Sequence, residues 1–362
     1  MKRFIYGSVS ALALLAAAPT LAQSGSNNST IGQNDNGQKA YVDQTGNFGQ
    51  SDSTISQSGD GNEAHINQTT TKDEYGAVQR DGDNVRGNFS RVTQSNSGNY
   101  ATSTQTGELN RSVVEQSGNG GKAYVNSQSG TFNNSLIQQT AGATATLNQG
   151  GDYGDNRSYI GQSANGAQAT VTQLGNSTTT TYYPSNDSTV RQYAGADGAI
   201  ANVGQTGQQN TSTVDQYAGA SGASAYVSQV NDQIVAGAAD MNTATIAQSA
   251  STSAYVSQGG SGAGSHGNTA TVMQSGSNLS PTPGYGYAAT VVQNGNNGEA
   301  TISQSNSDNT AFTQQYAGTD GNIADTYQTG QANFARVDQM TNSNNSQITQ
   351  NGTYGVAQVT QH

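Results

Sequence analysis

The stretch TGQQNTSTVDQ, residues 206–216, recurs with changes as TGQANFARVDQ at residues 329–339. Gly, Asn, Val and Gln occupy the same slots in both copies, whereas the position of Thr211 is taken by Phe334. The restricted slots after Asn fall at every second position, which is the periodicity of a β-strand with one buried face. The stretch therefore predicts a strand that follows a turn at Gly.

The full pattern, Gln-x-Gly-x-x-Asn-x-Ser-x-Val-x-Gln, is repeated along the chain from Gln33 to Gln361. With Ala or Ser in the small slot and a mostly aliphatic residue in the large slot, we place about 27 arms that each end in Gln. Thirteen of the 26 intervals between these glutamines are 11 residues long, and five are 13 residues long. A period that holds over the whole chain is typical of a repeat architecture.

Short strands of this kind cannot bury a core within one repeat, so the core must form between successive repeats. We therefore predict an all-β fold, a β-solenoid of stacked strand-turn-strand units in which two arms make one rung. At about 4.8 Å per rung, thirteen or so rungs give a body on the order of 60 Å long. Ala and Val would form dry columns, while inward Gln and Asn would form amide ladders that pair with one another. The pattern leaves open the handedness and which arms share a rung.

Composition and charge argue against several classes of protein and binding partner. Residues 1–22 have the features of a secretory signal peptide, residues 23–30 form a short N-terminal segment, and residues 31–362 form the repeat region. Without Lys2 and Arg3, ten basic and 23 acidic residues remain, so the formal charge changes from −11 to −13. This charge disfavours nucleic acid as a partner. The chain has no Cys, which excludes disulfides, and no stretch after the signal has the length of a transmembrane helix.

Charged residues and prolines support the predicted facing, because an unpaired buried charge costs several kcal/mol and proline cannot donate to a strand ladder. Basic residues fall in outward slots, namely Lys39, Arg91, Arg111, Lys122, Arg157, Arg191 and Arg336, or in or beside turns, namely Lys72, Arg80 and Arg86. Acidic residues are predicted to point outward at Asp43, Glu63, Glu115, Asp187, Asp215, Glu299, Asp325 and Asp338. The prolines Pro184, Pro281 and Pro283 lie in 19-residue intervals, where long loops are expected.

The motif Asn-x-Ala-x-Val-x-Gln, preceded by Gln-x-Gly, closely resembles the curlin repeat of curli fibre subunits, and the match covers nearly all of the chain after the signal. The resemblance implies an extracellular functional amyloid of a Gram-negative bacterium, built into adhesive fibres of the biofilm matrix. It also implies two kinds of partner besides further copies of the chain, a nucleator subunit and a curli-type export machinery. By position, the family's ladder-forming residues correspond to Gln57, Asn62, Gln68, Gln105, Asn110, Gln116, Gln205, Asn210, Gln216, Gln328, Asn333 and Gln339.

The last arm indicates how polymerisation would occur. Ala357, Val359 and Gln361 form a clean final arm, with one residue after it. Soluble solenoids usually end in polar or irregular caps, because a terminal rung exposes unpaired backbone groups. We therefore predict that these three residues form a polymerisation end, where a second copy continues the same columns.

A β-solenoid can also be an enzyme or a monomeric adhesin. A solenoid enzyme needs acidic residues that converge on a groove, whereas here only residues 72–86 cluster charges, at a turn. His65, His266 and His362 lack metal-ligand spacing, so we expect no metal, cofactor or catalytic residue. The alternative that stays open is a monomeric solenoid adhesin that binds matrix or glycans, with tyrosines of its long loops, Tyr182, Tyr183, Tyr285 and Tyr287, as candidate contacts.

Overall fold

The computed structural model describes residues 27–46, 51–70, 87–151, 156–175, 186–231, 241–259, 266–276 and 288–362. Within these ranges the chain forms 26 strands and no helix. The strands make up two sheets of thirteen strands each, and all pairing is parallel. The all-β prediction is therefore confirmed, and the architecture is a β-solenoid-like stack.

The first sheet contains every odd-numbered strand and is called the odd sheet. Its strands are β1 Asn28–Asn34, β3 Asp52–Ser58, β5 Phe89–Gln94, β7 Arg111–Gln116, β9 Asn134–Gln139, β11 Arg157–Gln162, β13 Asn186–Gln192, β15 Asn210–Gln216, β17 Asn242–Gln248, β19 Thr269–Gln274, β21 Glu299–Gln304, β23 Ile323–Gln331 and β25 Asn345–Thr353.

The second sheet contains every even-numbered strand and is called the even sheet. Its strands are β2 Lys39–Gly46, β4 Glu63–Thr70, β6 Tyr100–Glu108, β8 Lys122–Thr131, β10 Thr144–Gly150, β12 Gln168–Leu174, β14 Ile200–Gly207, β16 Ser224–Asn231, β18 Ser253–Gln258, β20 Ala289–Gln293, β22 Thr310–Gln315, β24 Phe334–Gln339 and β26 Val356–Gln361.

The chain alternates between the two sheets, so one odd strand and the even strand after it form a rung, and there are thirteen rungs. This settles which arms share a rung, a question that the sequence left open. Of the 27 predicted arms, the one ending at Gln79 lies outside the described residues, and β3 pairs directly with β5. The predicted signal peptide also lies outside them, and β1 begins at Asn28, inside the segment predicted to precede the repeats.

Strand pairing keeps equivalent slots in line from rung to rung. Val214 of β15 pairs with Val190 on one side and with Ile246 on the other. Most aliphatic residues of both sheets form one core cluster from Ile55 to Ala311, and those of the C-terminal rungs form another that contains Ala324, Ala335, Val337 and Ile348. The register is specific because a shift by one residue would turn every Val outward and every charged side chain inward.

A second, smaller core lies at the turns that precede several even strands. It consists of alanines alone: Ala143, Ala164, Ala167, Ala196, Ala199, Ala220 and Ala223. Ala199 and Ala223 occupy the slot that the repeat pattern assigns to Asn. In these rungs the longer turns fold back and bury alanine methyl groups at this edge instead of an Asn side chain.

The outward slots tolerate different side chains, as the opening stretch predicts. Thr211 is half-buried on the outer face, and its counterpart Phe334 is also half-buried. The expectation that outward acids face solvent is wrong for Asp338, which is only 6% exposed. Arg336 covers this carboxylate, donating from Nη2 to Oδ1 at 3.1 Å, and lies over the ring of Phe312. The outer face can thus bury a carboxylate when a guanidinium pairs with it.

Candidate functional site: amide ladders and terminal rungs

The glutamine that ends each strand belongs to a continuous ladder of side-chain amides. In the odd sheet, all twelve steps join Nε2 of one Gln to Oε1 of the Gln in the next rung, at 2.7–3.0 Å. In the even sheet, all twelve steps do the same at 2.8–3.0 Å. Buried amides are tolerated here because each one is paired.

The second hydrogen of the ladder amides joins the two sheets. Gln216 Nε2 donates to the backbone carbonyl of Ile200, at the start of the facing strand, at 3.0 Å. Gln205 Nε2 donates in the opposite direction to the carbonyl of Asp187, also at 3.0 Å. Reversing either amide would place its oxygen against a carbonyl oxygen, so this contact fixes the orientation of the ladder.

Both glutamine ladders therefore have the same polarity. Each Nε2 points toward the C-terminal rung and each Oε1 toward the N-terminal rung. At the N-terminal rung, no donor to Oε1 of Gln33 or Gln44 occurs within the described part of the chain. At the C-terminal rung, Gln350 and Gln361 donate to the facing carbonyls of Phe334 and Asn345 respectively, and to no other group among the residues that the structure describes. One end of the stack thus offers amide acceptors and the other offers amide donors.

The predicted glutamines divide between the two ladders. Gln57, Gln116, Gln216 and Gln328 lie in the odd sheet, and Gln68, Gln105, Gln205 and Gln339 lie in the even sheet. All eight are at most 2% exposed. Consecutive glutamines of the two ladders are 21 to 37 residues apart in sequence, so the ladders form only when rungs stack.

The predicted asparagines fall into two columns at opposite edges of the stack. Asn110 lies directly before an odd strand and Asn210 begins one, in a column where Asn210 Nδ2 donates to Asn186 Oδ1 at 2.8 Å. Asn62 and Asn333 precede even strands, where Asn62 Oδ1 accepts from the backbone N–H of Asn99 at 2.9 Å. The second column is interrupted between Asn99 and Asn309 by Gly, Ala and Thr, which includes the alanine cluster described above.

The terminal rungs expose the columns that inner rungs bury. Ala357, Val359 and Gln361 are half-buried, whereas their partners in β24 are completely covered. At the other end, Ala40 and Val42 are half-buried, and Ile31 is 45% exposed. No further strand pairs with β1, β2, β25 or β26 within the described residues, so their outer backbone groups form open sheet edges.

Charges on the outer faces are arranged in pairs. Near the N-terminal end, Glu63 Oε1 lies 2.7 Å from His65 Nε2, and Glu63 Oε2 lies 3.7 Å from Lys39 Nζ. The hydrogen bond with His65 and the charge of Lys39 lower the pKa of the Glu63 carboxyl. On the odd sheet, the charge of Asp215 is the main cause that raises the pKa of Tyr217. Of these contacts, the one between Lys39 and Glu63 links neighbouring rungs, and each contributes little individually at an exposed surface.

Several residues singled out from the sequence lie outside the described residues. They are Lys72, Arg80, Arg86, Pro184, Pro281, Pro283, Tyr182, Tyr183, Tyr285 and Tyr287. Among the residues that are described, no group of three or more His, Cys, Asp or Glu could hold a metal ion. The same part of the chain contains no helix with the length and hydropathy needed to cross a membrane.

In comparisons with known proteins, no family model and no curated sequence matches this chain.

Proposed function

We propose that this chain is a secreted structural subunit that polymerises head to tail into curli-like functional amyloid fibres, for surface adhesion and biofilm matrix. The observation that carries the proposal is the complementarity of the two ends. Oε1 of Gln33 and Gln44 faces away from the stack at one end, and a free amide hydrogen of Gln350 and Gln361 does so at the other. Stacking the C-terminal rung of one copy on the N-terminal rung of another continues both ladders.

The inward slots of the terminal rungs also correspond. The odd terminal strands carry the segments NNSTIGQ at residues 27–33 and NNSQITQ at residues 344–350, which place Asn, Ser, Ile and Gln in the same columns. The even terminal strands carry Ala40, Val42 and Gln44 at one end and Ala357, Val359 and Gln361 at the other. In both rungs the two glutamines are 11 residues apart, so the inward slots of the two strands keep the same spacing. A joint between copies would therefore resemble an inner rung.

The contact is heterologous, since one end binds the opposite end, and a heterologous contact that does not close yields a filament. The backbone edges of β1, β2, β25 and β26 supply the ladder hydrogen bonds of such a joint. Partners other than the chain itself, namely a nucleator and an export machinery of the curli type, follow from the motif resemblance, as does the extracellular location. No catalytic step is part of this proposal.

Variants of the two ends test the proposal. Val42→Lys and Val359→Lys each place a charge in the core column of one terminal rung, whereas Asp43→Lys and Thr360→Lys place it on the outer face of the same strands. We expect mature wild-type protein and both outer-face controls to form fibres with reflections near 4.8 and 10 Å. Each core variant alone should stay soluble and folded, because one of its ends no longer accepts a partner.

Mixing the two core variants gives a sharper result. Each keeps one intact end, so we expect complexes of one Val42→Lys copy with one Val359→Lys copy, and no further growth. Fibre formation by either core variant at the wild-type rate would contradict head-to-tail stacking. Wild-type protein that persists as a monomer at high concentration would overturn the proposal in favour of a monomeric adhesin.

A further inference from the structure

A cleft of about 150 Å³ opens on the outer face of the odd sheet, over β11. Here the two outward positions that flank the ladder residue Gln162 are small, Gly161 and Ser163, whereas the neighbouring rungs carry larger side chains. Gln138 of β9 stands on one side, and Arg191 and Tyr193 stand on the other. The cleft therefore lies where the outward side chains of β11 are small or absent, between the larger side chains of β9 and β13.

The ring of Tyr159 closes one end of the cleft and depends on Gly161. A Cβ at Gly161 would lie 2.7 Å from the Tyr159 hydroxyl and 3.0 Å from its ring, so only glycine allows this ring position. Tyr159 Oη donates to Gln138 Oε1 at 3.0 Å, and Gln138 Nε2 donates to Glu115 Oε2 at 2.8 Å. These bonds hold the polar wall in place before any ligand arrives, which reduces the entropy cost of binding.

The opposite wall presents an aromatic face. The rings of Tyr193 and Tyr217 stack with centroids 5.1 Å apart and planes at 7°. Tyr217 follows β15 and covers one side of Tyr193, whereas β11 and the cleft lie on the other side. Tyr193 is 38% exposed. The stack therefore holds a flat apolar surface against the cleft, of the kind on which the C–H face of a sugar ring packs.

Arg191 adds a cation at the rim. Its side chain is 44% exposed, and its Nη1 lies 3.4 Å from Asp215 Oδ1, on the side away from the cleft. That contact uses one of the five guanidinium donors and leaves others for a carboxylate, which guanidinium binds bidentately. The combination of an aromatic face, amide and hydroxyl groups and a guanidinium suits an acidic sugar.

We propose that this cleft binds one uronic acid residue of an anionic polysaccharide. The sugar ring packs on Tyr193, its hydroxyls pair with Gln138, Tyr159 and Ser163, and its carboxylate pairs with Arg191. A volume of about 150 Å³ accommodates a single six-membered ring, so the site binds one sugar residue of the polysaccharide. The cleft faces outward from a middle rung and exists in a single copy of the protein, so it does not depend on polymerisation.

Titration of the mature protein with two matched probes tests this assignment, using cellotetraose and the same tetrasaccharide oxidised at C6 to glucuronates. By calorimetry and saturation-transfer NMR, we expect the oxidised probe to bind at least tenfold more tightly than the neutral one. Arg191→Gln should bring the affinity for the oxidised probe down to that for cellotetraose. Tyr193→Ala should weaken both probes at least tenfold.

Gly161→Thr fills the cleft at a position where outward threonine favours a strand, so the fold should persist and binding of both probes should be lost. Gly204→Thr is the matched control, because Gly204 occupies the equivalent outward slot of β14 and a Cβ there has no neighbour closer than 3.9 Å. Unchanged binding in Gly161→Thr, or no binding of the oxidised probe by the wild-type protein, would overturn the proposal. Equal affinity for the two probes would show that Arg191 does not bind the sugar carboxylate.

Discussion

Nε2 of Gln216 lies 3.0 Å from Oε1 of Gln248, although 32 residues separate these positions in the chain. The preceding step of the same ladder, from Gln192 to Gln216, spans 24 residues at 2.9 Å. Added residues are accommodated between strands, and the amide contact keeps its length. The ladder is thus the invariant feature of the fold, and single-residue changes should show how much it contributes.

Removing one ladder amide should destabilise the stack. Gln216→Ala leaves Gln192 Nε2 without its acceptor and Gln248 Oε1 without its donor, and each buried unsatisfied group costs about 1–3 kcal/mol. We expect the urea midpoint of soluble monomer to fall accordingly. Gln168→Ala, at an exposed outward position of β12, is the matched control and should leave the midpoint within error. Equal effects of the two changes would mean that the ladder does not stabilise the fold.

A charge should be tolerated on one side of a strand and not on the other. Val227 and Ser228 are neighbours in β16, and Val227 is fully buried while Ser228 is half-buried on the outer face. Val227→Glu places an unpaired carboxylate in the core and should cost several kcal/mol or prevent folding. Ser228→Glu should retain the β-sheet circular dichroism spectrum and the wild-type thermal midpoint. A folded Val227→Glu protein of wild-type stability would contradict the assigned facing.

The turn glycine of the opening stretch should not accept a side chain. Gly207 has φ of 89°, and a Cβ there would collide with the carbonyl of Asn231 in the next rung. Gly207→Ala should therefore lower the free energy of unfolding by more than the roughly 1 kcal/mol expected from a left-handed backbone alone. Gly204→Ala, three residues earlier, meets only ordinary contacts and should be neutral or stabilising. Denaturant melts of the two variants provide the comparison.

Some inward serines are expected to be replaceable with a gain in stability. Ser212 is 1% exposed, and its Oγ has no hydrogen-bond partner among the described residues. Ser212→Ala should raise the free energy of unfolding by on the order of 1 kcal/mol, because a buried unpaired hydroxyl is removed. Ser90→Ala serves as the contrast, since Ser90 Oγ donates to Ser103 Oγ at 2.9 Å, and should destabilise. In chemical denaturation, we expect the free energy of unfolding to rise for Ser212→Ala and to fall for Ser90→Ala.

Acid should weaken the ion pairs that the Glu63 carboxylate makes with His65 and Lys39. Because the pKa of Glu63 is lowered in the folded chain, its contribution is complete above the ordinary carboxyl pKa and is lost as pH falls through the lowered value. We expect Glu63→Gln to be less stable than wild type at pH 7, by less than about 1 kcal/mol for this largely exposed pair, and equally stable near pH 2. A difference that persists in strong acid would exclude the charge as its source.

Most of the fold could be predicted from the repeat pattern. Slots such as Ser212, Val214 and Gln216 alternate within one strand, so their facing follows from local geometry. The same reasoning gave the outward direction of Asp338 but not its low exposure, because its burial depends on Arg336 in its own strand. The strand pattern also gave no sign of the separate core at Ala199 and Ala223, because that core forms between the turns of successive rungs.

The cleft over Gly161 had no visible signal in the sequence. Glycine in an outward slot is unremarkable until its neighbours across rungs are known, and Arg191 lies 30 residues further along the chain. Only pairing of β11 with β9 and β13 brings Gln138, Gly161 and Arg191 into one row. Sites of this kind arise between repeats and not within them.

The sequence by itself determined which side chains face inward and that the core is a set of columns, because these depend on residues within a single arm. The tertiary structure alone decided that odd and even arms form separate sheets, that both glutamine ladders point the same way, and that the two ends are complementary. Those properties depend on contacts between residues more than 20 positions apart, such as Gln57 with Gln94, and on a second amide hydrogen that must meet a carbonyl of the facing sheet. The repeat period specifies the strands of one rung, whereas the stacking of rungs gives both glutamine ladders their common polarity.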